Sequence, residues 1–367
     1  MASARQWLDR IHALALPHPV KVMNVCGGHE RSIAMAGLRR ALPPTIELVP
    51  GPGCPVCVCP EEAVYDAIQL ALRQNVILVA FGDMLRVPVN APKAEPRSLE
   101  QARAAGGDVR PVASPRDAVR IARANPERPV VFFAAGFETT TAPVAAMLRE
   151  GVPDNLSVLL AARLTWPAVA MLLDSGEPGF HALIAPGHVA TIMGADEWRF
   201  VADRHRIPAA VAGFTPTSLL AALYSVLRQI IEGACFLDNC YSELVRPQGN
   251  LAARRQIAAI MDVVDANWRG IGIIPRSGFA LKSGMAQLDA ATRFPVTADP
   301  ARKRVGEMPP GCDCARVVLG KIYPNDCRLY GRACTPHSPV GPCMVSEEGA
   351  CRIWWSTGAH KEAEPAI

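Results

Sequence analysis

Short apolar runs alternate with Gly/Pro-rich turns over residues 21–214, and a helical pattern usually follows each turn. The runs are rich in β-branched residues and stay apolar at consecutive positions, which is typical of strands buried on both faces. Buried strands that alternate with helices predict parallel sheets covered by helices on both sides. We identify runs of this kind at residues 20–25, 46–49, 76–81, 109–112, 130–135, 157–161, 182–185 and 209–212.

The spacing of these runs predicts an α/β fold with two small parallel-sheet, Rossmann-like domains of about four strands each, facing a cleft. A boundary near residues 124–129 is favoured because Asn125-Pro-Glu-Arg-Pro interrupts helix and strand alike. We therefore predict a first α/β domain over residues 1–125 and a second over 126–240. Functional residues are expected on turns at the carboxyl ends of the strands.

The remaining chain, residues 241–367, is predicted to be a third, helical and irregular domain. Helical periodicity returns over residues 218–231 and 251–264, and after Asn267 the pattern dissolves into Gly, Pro and Cys. Residues 92–108 are interpreted as a loop or exposed helix. Trp7, Ile11 and Leu14 lie at helical spacing with charged residues between them, which predicts an amphipathic helix and not a signal peptide.

Composition narrows the classes of protein that fit. Half of the 367 residues are apolar and a fifth are charged, which is typical of a folded chain. The formal charge of +4 is not gathered into Lys/Arg blocks, so we predict no nucleic-acid partner. No apolar run approaches the roughly 18 residues that span a bilayer, so we predict no membrane association and a cytoplasmic location. In that compartment the twelve cysteines are expected to be metal ligands or redox thiols.

Six of the cysteines lie near the carboxyl end of the chain. Their spacing is wider than the close pairs of most structural zinc sites, which favours an iron-sulfur cluster over zinc or unligated thiols. Six thiols are two more than a four-coordinate site needs, so spacing leaves the ligands open. The group comprises Cys312, Cys314, Cys327, Cys334, Cys343 and Cys351.

Two cysteine-bearing turns follow the first two predicted strands. In Cys26-Gly-Gly-His-Glu the thiol is a soft ligand or nucleophile, and His29 with Glu30 can move a proton. The alternative is a plain strand-helix turn with a half-buried cysteine. In Gly51-Pro-Gly-Cys-Pro-Val-Cys, Cys54 and Cys57 form a CxxC pair that can cycle between dithiol and disulfide. The alternative is half of a zinc site completed by Cys26 or Cys59.

Polar residues also follow two later strands, at Glu138, Thr139, Thr140 and His188. Each alone is explained by helix capping or a satisfied turn histidine. If the two α/β units face each other, these residues would line a cleft opposite the cysteine turns. No nucleotide-binding loop, dinucleotide fingerprint, HExxH or GxSxG motif is present, which disfavours ATP, dinucleotide and serine-hydrolase chemistry.

A set of seven motifs, in this order and with these separations, resembles the HypD family of hydrogenase maturation factors almost from end to end. They are Cys26-Gly-Gly-His-Glu, Gly51-Pro-Gly-Cys-Pro-Val-Cys, Gly82-Asp-Met-Leu-Arg-Val-Pro, Gly136-Phe-Glu-Thr-Thr, Ala185-Pro-Gly-His-Val, Trp268-Arg-Gly and Ser346-Glu-Glu-Gly-Ala-Cys.

The resemblance implies a three-domain scaffold that assembles the Fe(CN)2CO unit of nickel-iron hydrogenases. Implied partners are a small HypC-type chaperone, a HypE-type cyanide donor and, indirectly, the hydrogenase large-subunit precursor. Cys26 would help to hold the iron that carries cyanide and carbon monoxide, and His29 would assist ligand transfer. Cys54 and Cys57 would be catalytic redox thiols supplied with electrons by a 4Fe-4S cluster. The family's cluster pattern falls on Cys314, Cys327, Cys334 and Cys351, which excludes Cys312 and Cys343.

The chain departs from the family pattern at three positions. Arg31 stands where a second histidine is common, and an arginine does not shuttle protons near neutral pH. Cys59 is an additional thiol that could compete for a disulfide with Cys54 or Cys57, and Thr215 stands where an acidic residue is frequent. Two other functions remain open from the residues: a cluster-dependent protein disulfide reductase, and a zinc-stapled interaction protein without a redox role.

Overall fold

The computed structural model of the chain describes residues 2–73, 75–92, 94–176, 178–296 and 308–358. In these residues the strands form two parallel sheets and one antiparallel hairpin. The strands are β1 (Val20–Asn24), β2 (Ile46–Pro50), β3 (Ile77–Phe81), β4 (Asp108–Val112), β5 (Val130–Gly136), β6 (Leu156–Ala162), β7 (Ala182–Pro186), β8 (Ala209–Ala212), β9 (Leu237–Asn239), β10 (Met261–Trp268) and β11 (Gly272–Leu281).

Helices connect the strands and cover both sheets. The α-helices are α1 (Ala4–His12), α2 (Gly27–Met35), α3 (Leu38–Ala41), α4 (Pro55–Val58), α5 (Glu61–Arg73), α6 (Leu99–Ala104), α7 (Pro115–Ala124), α8 (Glu138–Glu150), α9 (Thr165–Asp174), α10 (Gly187–Met193), α11 (Arg199–Asp203), α12 (Pro216–Glu232), α13 (Leu251–Ile260), α14 (Ala290–Arg293), α15 (Cys314–Val318) and α16 (Ala350–Ser356). Short 3-10 helices occur at Gly82–Arg86, Ala195–Trp198, Ser283–Leu288, Pro324–Asp326 and Pro342–Met344. No described helix has the length and apolar character that crossing a bilayer requires.

Both main sheets are entirely parallel. The first has the strand order β2-β1-β7-β8-β9, and the second has the order β4-β3-β5-β6. Every apolar run identified in the sequence is a strand, and β5 is buried along its whole length. The predicted α/β class with two parallel sheets and a cysteine-rich carboxyl-terminal region is therefore confirmed, because continuous burial is what such runs require.

The strand pairing does not follow the predicted division into residues 1–125 and 126–240. Strands β1 and β2 lie in one sheet with β7, β8 and β9, while β3 to β6 form the other. The chain leaves the first sheet after β2, builds the second sheet completely and then returns. Uniformly apolar strands carry no periodic signal that selects a neighbour, so residue order gave the wrong partners.

The helix predicted over residues 251–264 ends earlier, at Ile260. Strand β10 begins at Met261 and pairs with β11, so the region predicted to be irregular after Asn267 starts with a hairpin. The apolar residues at 260, 261, 263 and 264 fit both the helical and the strand period. Pairing with the antiparallel strand β11 selects the strand. Strand β9 is a further element that the sequence did not indicate. The predicted amphipathic helix is α1, and residues 92–108 contain α6, whose Leu99 is buried.

The carboxyl-terminal region packs against the first sheet through α2. Trp354 on α16 donates a hydrogen bond from Nε1 to Glu30 Oε1 at 2.7 Å, and the Arg39 guanidinium lies 5.1 Å from the Trp354 ring centre. Tyr323 stacks on the same tryptophan at 5.2 Å. These contacts place the cysteine-rich region at the carboxyl ends of β1 and β2, where the Cys26 and Cys54 turns lie.

Candidate thiol and metal site

The Cys26 turn connects β1 to α2. Cys26 is the residue before the first turn of α2, and Gly27 follows in close contact with the carboxyl-terminal region. A Cβ atom on Gly27 would lie 2.3 Å from Glu348 O, and one on Gly53 would lie 2.5 Å from the Cys26 backbone. The Gly27 amide also donates to Gly53 O at 3.1 Å. The glycines therefore allow three backbone segments to meet around one thiol.

Cys54 and Cys57 are joined by a disulfide across the first turn of α4. Their Cα atoms are 5.3 Å apart. Pro55 occupies the first helical position, and the Cys57 amide donates to Cys54 Sγ at 3.2 Å. Both residues are buried. The CxxC sequence thus forms a disulfide in a preorganised turn, which is the geometry that a reversible redox pair needs.

A cavity of about 10 Å³ lies between these turns and the carboxyl-terminal region. That volume holds roughly one water molecule. The lining residues that carry reactive or ionisable groups are Cys26, Glu30, Cys54, Cys57, Cys343 and Glu348. The cavity thus joins the free thiol, the disulfide and a cysteine of the carboxyl-terminal group in one place.

The carboxyl-terminal thiols form a buried group with the geometry of a metal site. The sulfur atoms of Cys314, Cys343 and Cys351 all lie within 4.8 Å of one another. Cys312 Sγ lies 3.2 Å from Cys314 Sγ, and Cys334 Sγ accepts a hydrogen bond from the Val340 amide at 3.4 Å. Converging, buried sulfur donors fit zinc or an iron-sulfur cluster, because both are held by thiolates.

Hydrogen bonding moves the pKa values of two thiols of this triad in opposite directions. Hydrogen bonds from Cys314 and Cys351 lower the pKa of Cys343 well below its usual range. Hydrogen bonding to Cys314 and Cys343, together with burial, raises the pKa of Cys351. A bound metal ion would stabilise the thiolate form of its cysteine ligands here.

The structure brings together two of the four cluster ligands that the family pattern implies. Cys314 and Cys351 belong to the triad, while Cys327 and Cys334 are buried in the same apolar core but outside it. The third member is Cys343, which the family pattern excluded. Spacing alone had kept Cys343 as a candidate, so the signal was present in the sequence.

Burial changes the acid-base properties of the first turn. Loss of hydration raises the pKa of Cys26 to about 12, against the opposing hydrogen bonds from the amides of His29 and Gly28. Burial lowers the pKa of His29 to about 4. The His29 ring is therefore neutral at pH 7, with Nε2 placed 3.0 Å from Ala212 O and Nδ1 without a protein partner. A donated Nε2–H leaves Nδ1 as a proton acceptor.

Glu30 is a structural residue in this site. Its carboxylate accepts from Asn24 Nδ2 at 3.0 Å, Arg39 Nη2 at 2.8 Å and Trp354 Nε1 at 2.7 Å. All three donors come from different elements. Glu30 lines the cavity, but its carboxylate is committed to holding α2 against α16.

The second group of predicted residues does not line the cavity. Glu138 is buried and accepts hydrogen bonds from Thr165 N at 2.7 Å and Thr165 Oγ1 at 2.8 Å. Burial raises the pKa of Glu138 to about 7. Thr139 is exposed, and Thr140 packs against Gly136. These residues follow β5 of the second sheet, so they join β5, α8 and α9.

His188 follows β7 and Cys26 follows β1, and these two strands are parallel neighbours, so His188 lies at the same edge of the first sheet as Cys26 and not opposite it. Its exposed ring stacks on Phe214 at 3.7 Å, and His29 contacts the same phenylalanine at 4.9 Å. Phe214 also closes off Gly28, where a Cβ atom would lie 2.8 Å from Phe214 Cε1. His188 therefore borders the Cys26 turn through Phe214.

Glu348, which lines the cavity with Cys26, and Asp83, which acts on Glu348, had no role in the sequence-based interpretation. Desolvation, with a smaller contribution from Asp83, raises the pKa of Glu348 to about 7. Glu348 in turn opposes ionisation of Cys26. Both acids occur in motifs of the family resemblance, which was the available signal.

Two of the positions that depart from the family pattern have clear surroundings. Arg31 pairs with Glu347 at 2.8 Å on the surface. Cys59 is a buried free cysteine, and burial raises its pKa to about 12.

Two parallel α/β sheets, a CxxC disulfide and a buried group of converging thiols define a thiol-rich α/β protein equipped to bind a metal. The chain belongs to the HypD family of hydrogenase maturation factors. The family model described as "Hydrogenase formation hypA family" matches residues 2–358.

Individual relatives match over almost their full length. The chain is 40% identical over 371 residues to the hydrogenase maturation factor HypD of Rhodobacter capsulatus, covering 99% of this chain and 96% of the relative. It is 40% identical over 354 residues to HypD2 of Bradyrhizobium diazoefficiens, covering 94% and 91%. It is 38% identical over 341 residues to HypD of Escherichia coli K12, covering 92% and 89%.

Proposed function

We propose that this chain is the scaffold on which the Fe(CN)2CO unit of nickel-iron hydrogenases is assembled. The observation that carries the proposal is the shared cavity, where Cys26, the Cys54–Cys57 disulfide and Cys343 meet. A free metal-binding thiol, a two-electron redox pair and a metal-binding thiol group are therefore neighbours. Membership of the HypD family supports the same function.

Cys26 binds the iron that is the substrate of assembly. Its thiol is protonated near neutral pH, and a bound cation displaces that proton, because a metal stabilises the thiolate. The cavity of about 10 Å³ is too small for an iron with several diatomic ligands. The iron unit must therefore project outwards from partly exposed Cys26, where a partner can cover it.

The Cys54–Cys57 disulfide is the catalytic redox pair. Reduction breaks its S–S bond with two electrons and two protons and yields two thiols. The two electrons originate from an external low-potential protein donor and reach the disulfide one at a time through the carboxyl-terminal site. His29 assists ligand transfer as a neutral ring whose Nδ1 can accept a proton, since Nε2 is engaged with Ala212 O.

The carboxyl-terminal thiols hold a 4Fe-4S cluster. When bound, the cluster supplies single electrons for reduction of the nearby disulfide. The ligands proposed from the family pattern are Cys314, Cys327, Cys334 and Cys351. Cys312 and Cys343 are the alternatives to Cys327 and Cys334, because their sulfur atoms lie 3.2 Å and within 4.8 Å, respectively, of Cys314 Sγ. The iron content of single alanine variants at these four cysteines decides which of them are ligands.

The proposed partners follow from this chemistry. A small HypC-type chaperone shares the iron with Cys26, and a HypE-type protein donates cyanide. The hydrogenase large-subunit precursor receives the unit indirectly. We place this work in the cytoplasm, where thiols remain available for metal binding.

Infrared spectroscopy of the chain purified without oxygen, together with its HypC-type partner, tests the scaffold function. We expect cyanide and carbonyl stretching bands in the wild-type complex and their loss in Cys26→Ala. Cys235→Ala is the matched control, because Cys235 is also a partly exposed free cysteine but does not line the cavity. Bands that persist in Cys26→Ala contradict the role of Cys26.

The alternative function is a cluster-dependent reductase of protein disulfides, which the observed Cys54–Cys57 disulfide favours. The two functions differ in mononuclear iron. Metal analysis combined with Mössbauer spectra is expected to give about five iron atoms per chain for a loaded scaffold and about four for the reductase. A colourless, zinc-containing preparation would contradict both functions.

A further inference from the structure

Arg269 occupies an unusual position in the turn that connects β10 to β11. Its side chain is completely buried. The backbone amide donates to Val58 O at 3.1 Å, and Nη2 donates to Pro88 O at 2.7 Å. The carboxylate oxygen Glu61 Oε2 lies 3.9 Å from Arg269 Nη2. Arg269 is thus fixed against the end of α4, the helix that carries Cys57.

The remaining donors of this guanidinium have no protein partner. Arg269 Nε and Nη1 make no hydrogen bond to any described residue. Arg163, the other arginine that is buried in the described chain, donates from Nε, Nη1 and Nη2 to backbone carbonyls at 2.8 to 3.1 Å. Unpaired donors on a buried charge are costly, so their persistence points to an acceptor that completes the site.

The turn that carries Arg269 packs against the helix that begins at Cys314. A Cβ atom on the next residue, Gly270, would lie 2.9 Å from Ala315 Cβ, and Ala315 follows Cys314 directly on α15. Since the Arg269 amide donates to Val58 O on α4, the turn lies between the disulfide-bearing helix and the carboxyl-terminal thiol site.

We infer that Arg269 is the buried counter-cation of the carboxyl-terminal thiol site and that it sets the reduction potential of the cluster held there. This inference rests on the proposed cluster. A cluster with four thiolate ligands carries net negative charge, and an added electron makes that charge larger. A nearby buried cation with free N–H donors stabilises the reduced form more than the oxidised form, so the potential rises. Arg269 is a positioning residue, which acts on the cluster and not on substrate.

Glu61 provides a test of the direction in which the Arg269 charge shifts the reduction potential. Its carboxylate Oε2 lies 3.9 Å from Arg269 Nη2, and its negative charge weakens the positive field of the arginine. Removing the arginine charge is expected to lower the potential, and removing the glutamate charge is expected to raise it. A purely structural role for the ion pair predicts no such opposition, because either variant would only loosen the packing.

The experiment is a redox titration of the full chain, monitored by electron paramagnetic resonance, with iron and sulfide measured in each sample. In Arg269→Gln we expect an electron affinity at least tenfold weaker, a shift of about 59 mV to more negative potential. Glu61→Gln is expected to shift in the opposite direction, and Arg269→Lys to restore much of the wild-type value. Arg163→Gln is the matched control, since Arg163 is also buried but donates to backbone carbonyls from Nε, Nη1 and Nη2.

The outcomes separate this inference from the proposed function. Unchanged potentials in loaded Arg269→Gln, equal shifts in Arg163→Gln, or shifts of the same sign in both Arg269→Gln and Glu61→Gln overturn the role of Arg269 alone. A wild-type chain without iron and sulfide overturns the proposed cluster and this inference together. If Arg269→Gln does not fold, Arg269→Lys and Glu61→Gln still carry the test.

Discussion

Two histidines, on helices that follow neighbouring strands of the first sheet, show how burial controls the chemistry of a side chain. His29 is buried under Phe214 with its ring at Ala212 O, whereas His188 stacks on the outer face of the same phenylalanine and stays exposed. Burial lowers the pKa of His29 to about 4. The buried ring is therefore held neutral, which is the form that can accept a proton.

This shift predicts a pH dependence of stability that His29 contributes. The unfolded chain binds the proton near pH 6.5 and the folded chain only near pH 4, so the free energy of unfolding falls as pH falls through this window. The loss is up to about 3 kcal/mol. His29→Gln keeps a donor for Ala212 O and removes the titration. Urea unfolding at several pH values should therefore show a weaker decline in the variant.

The control for this measurement is His12→Gln, because His12 is exposed. Its pH profile is expected to follow the wild type. Burial raises the pKa of Glu138 to about 7, so this carboxyl binds a proton more readily in the folded chain than in the unfolded chain. Glu138 therefore makes the free energy of unfolding rise as pH falls, which opposes the contribution of His29. Only the difference between variant and wild type isolates the histidine. Parallel profiles for His29→Gln and the wild type would refute the assignment.

At the scale of elements, the site depends on close packing between α2 and the segment before α16. Gly27 has no room for a side chain there, since a Cβ atom would lie 2.3 Å from Glu348 O and 2.5 Å from Glu348 Cβ. Backbone atoms cannot move aside as a flexible side chain would. The sequence marks this position as a glycine, but only the contact shows why.

Gly27→Ala is expected to lower the free energy of unfolding by about 1–3 kcal/mol, because the added methyl group overpacks a tight contact. Gly284→Ala is the matched control, since nothing lies within 4 Å of its Cβ position. Equilibrium unfolding in urea measures both. Equal stability of the two variants would contradict the packing described for α2.

At the scale of the whole molecule, the carboxyl-terminal region has little regular structure of its own. Residues 308–358 contain only α15, α16 and two short 3-10 helices. Five of the six carboxyl-terminal cysteines are nevertheless buried, and Cys312 is partly exposed. Converging thiols take the place of an extended sheet or helical core. A metal bound there would contribute directly to folding of the region, because such a site does not exist in the unfolded chain.

Removal of the metal is therefore expected to loosen residues 308–358 before the sheets. Hydrogen exchange of the chain, measured before and after chelation under reducing conditions, should show lost protection at α16. Protection at β5 is expected to persist, because that strand is fully buried in the second sheet. Unchanged exchange at α16 after complete metal loss would show that packing on α2 suffices without the metal.

Sequence alone determined the strands and the class of fold, and it supplied the candidate site residues. Continuous apolar runs located all the strands of both parallel sheets except short β9, because burial on both faces imposes that composition. The motifs selected Cys26, Cys54 and Cys57 as candidates without coordinates.

Tertiary structure decided which of these parts meet. Strand partners, the hairpin at β10 and β11, and the approach of Cys343 to Cys314 and Cys351 depend on contacts between residues distant in the chain. Local sequence patterns indicate which residues are buried and which backbone conformation they prefer. They carry no signal that selects one distant contact among several segments of similar composition. The shared cavity and the buried Arg269 are therefore properties of the fold, although every residue in them is visible in the sequence.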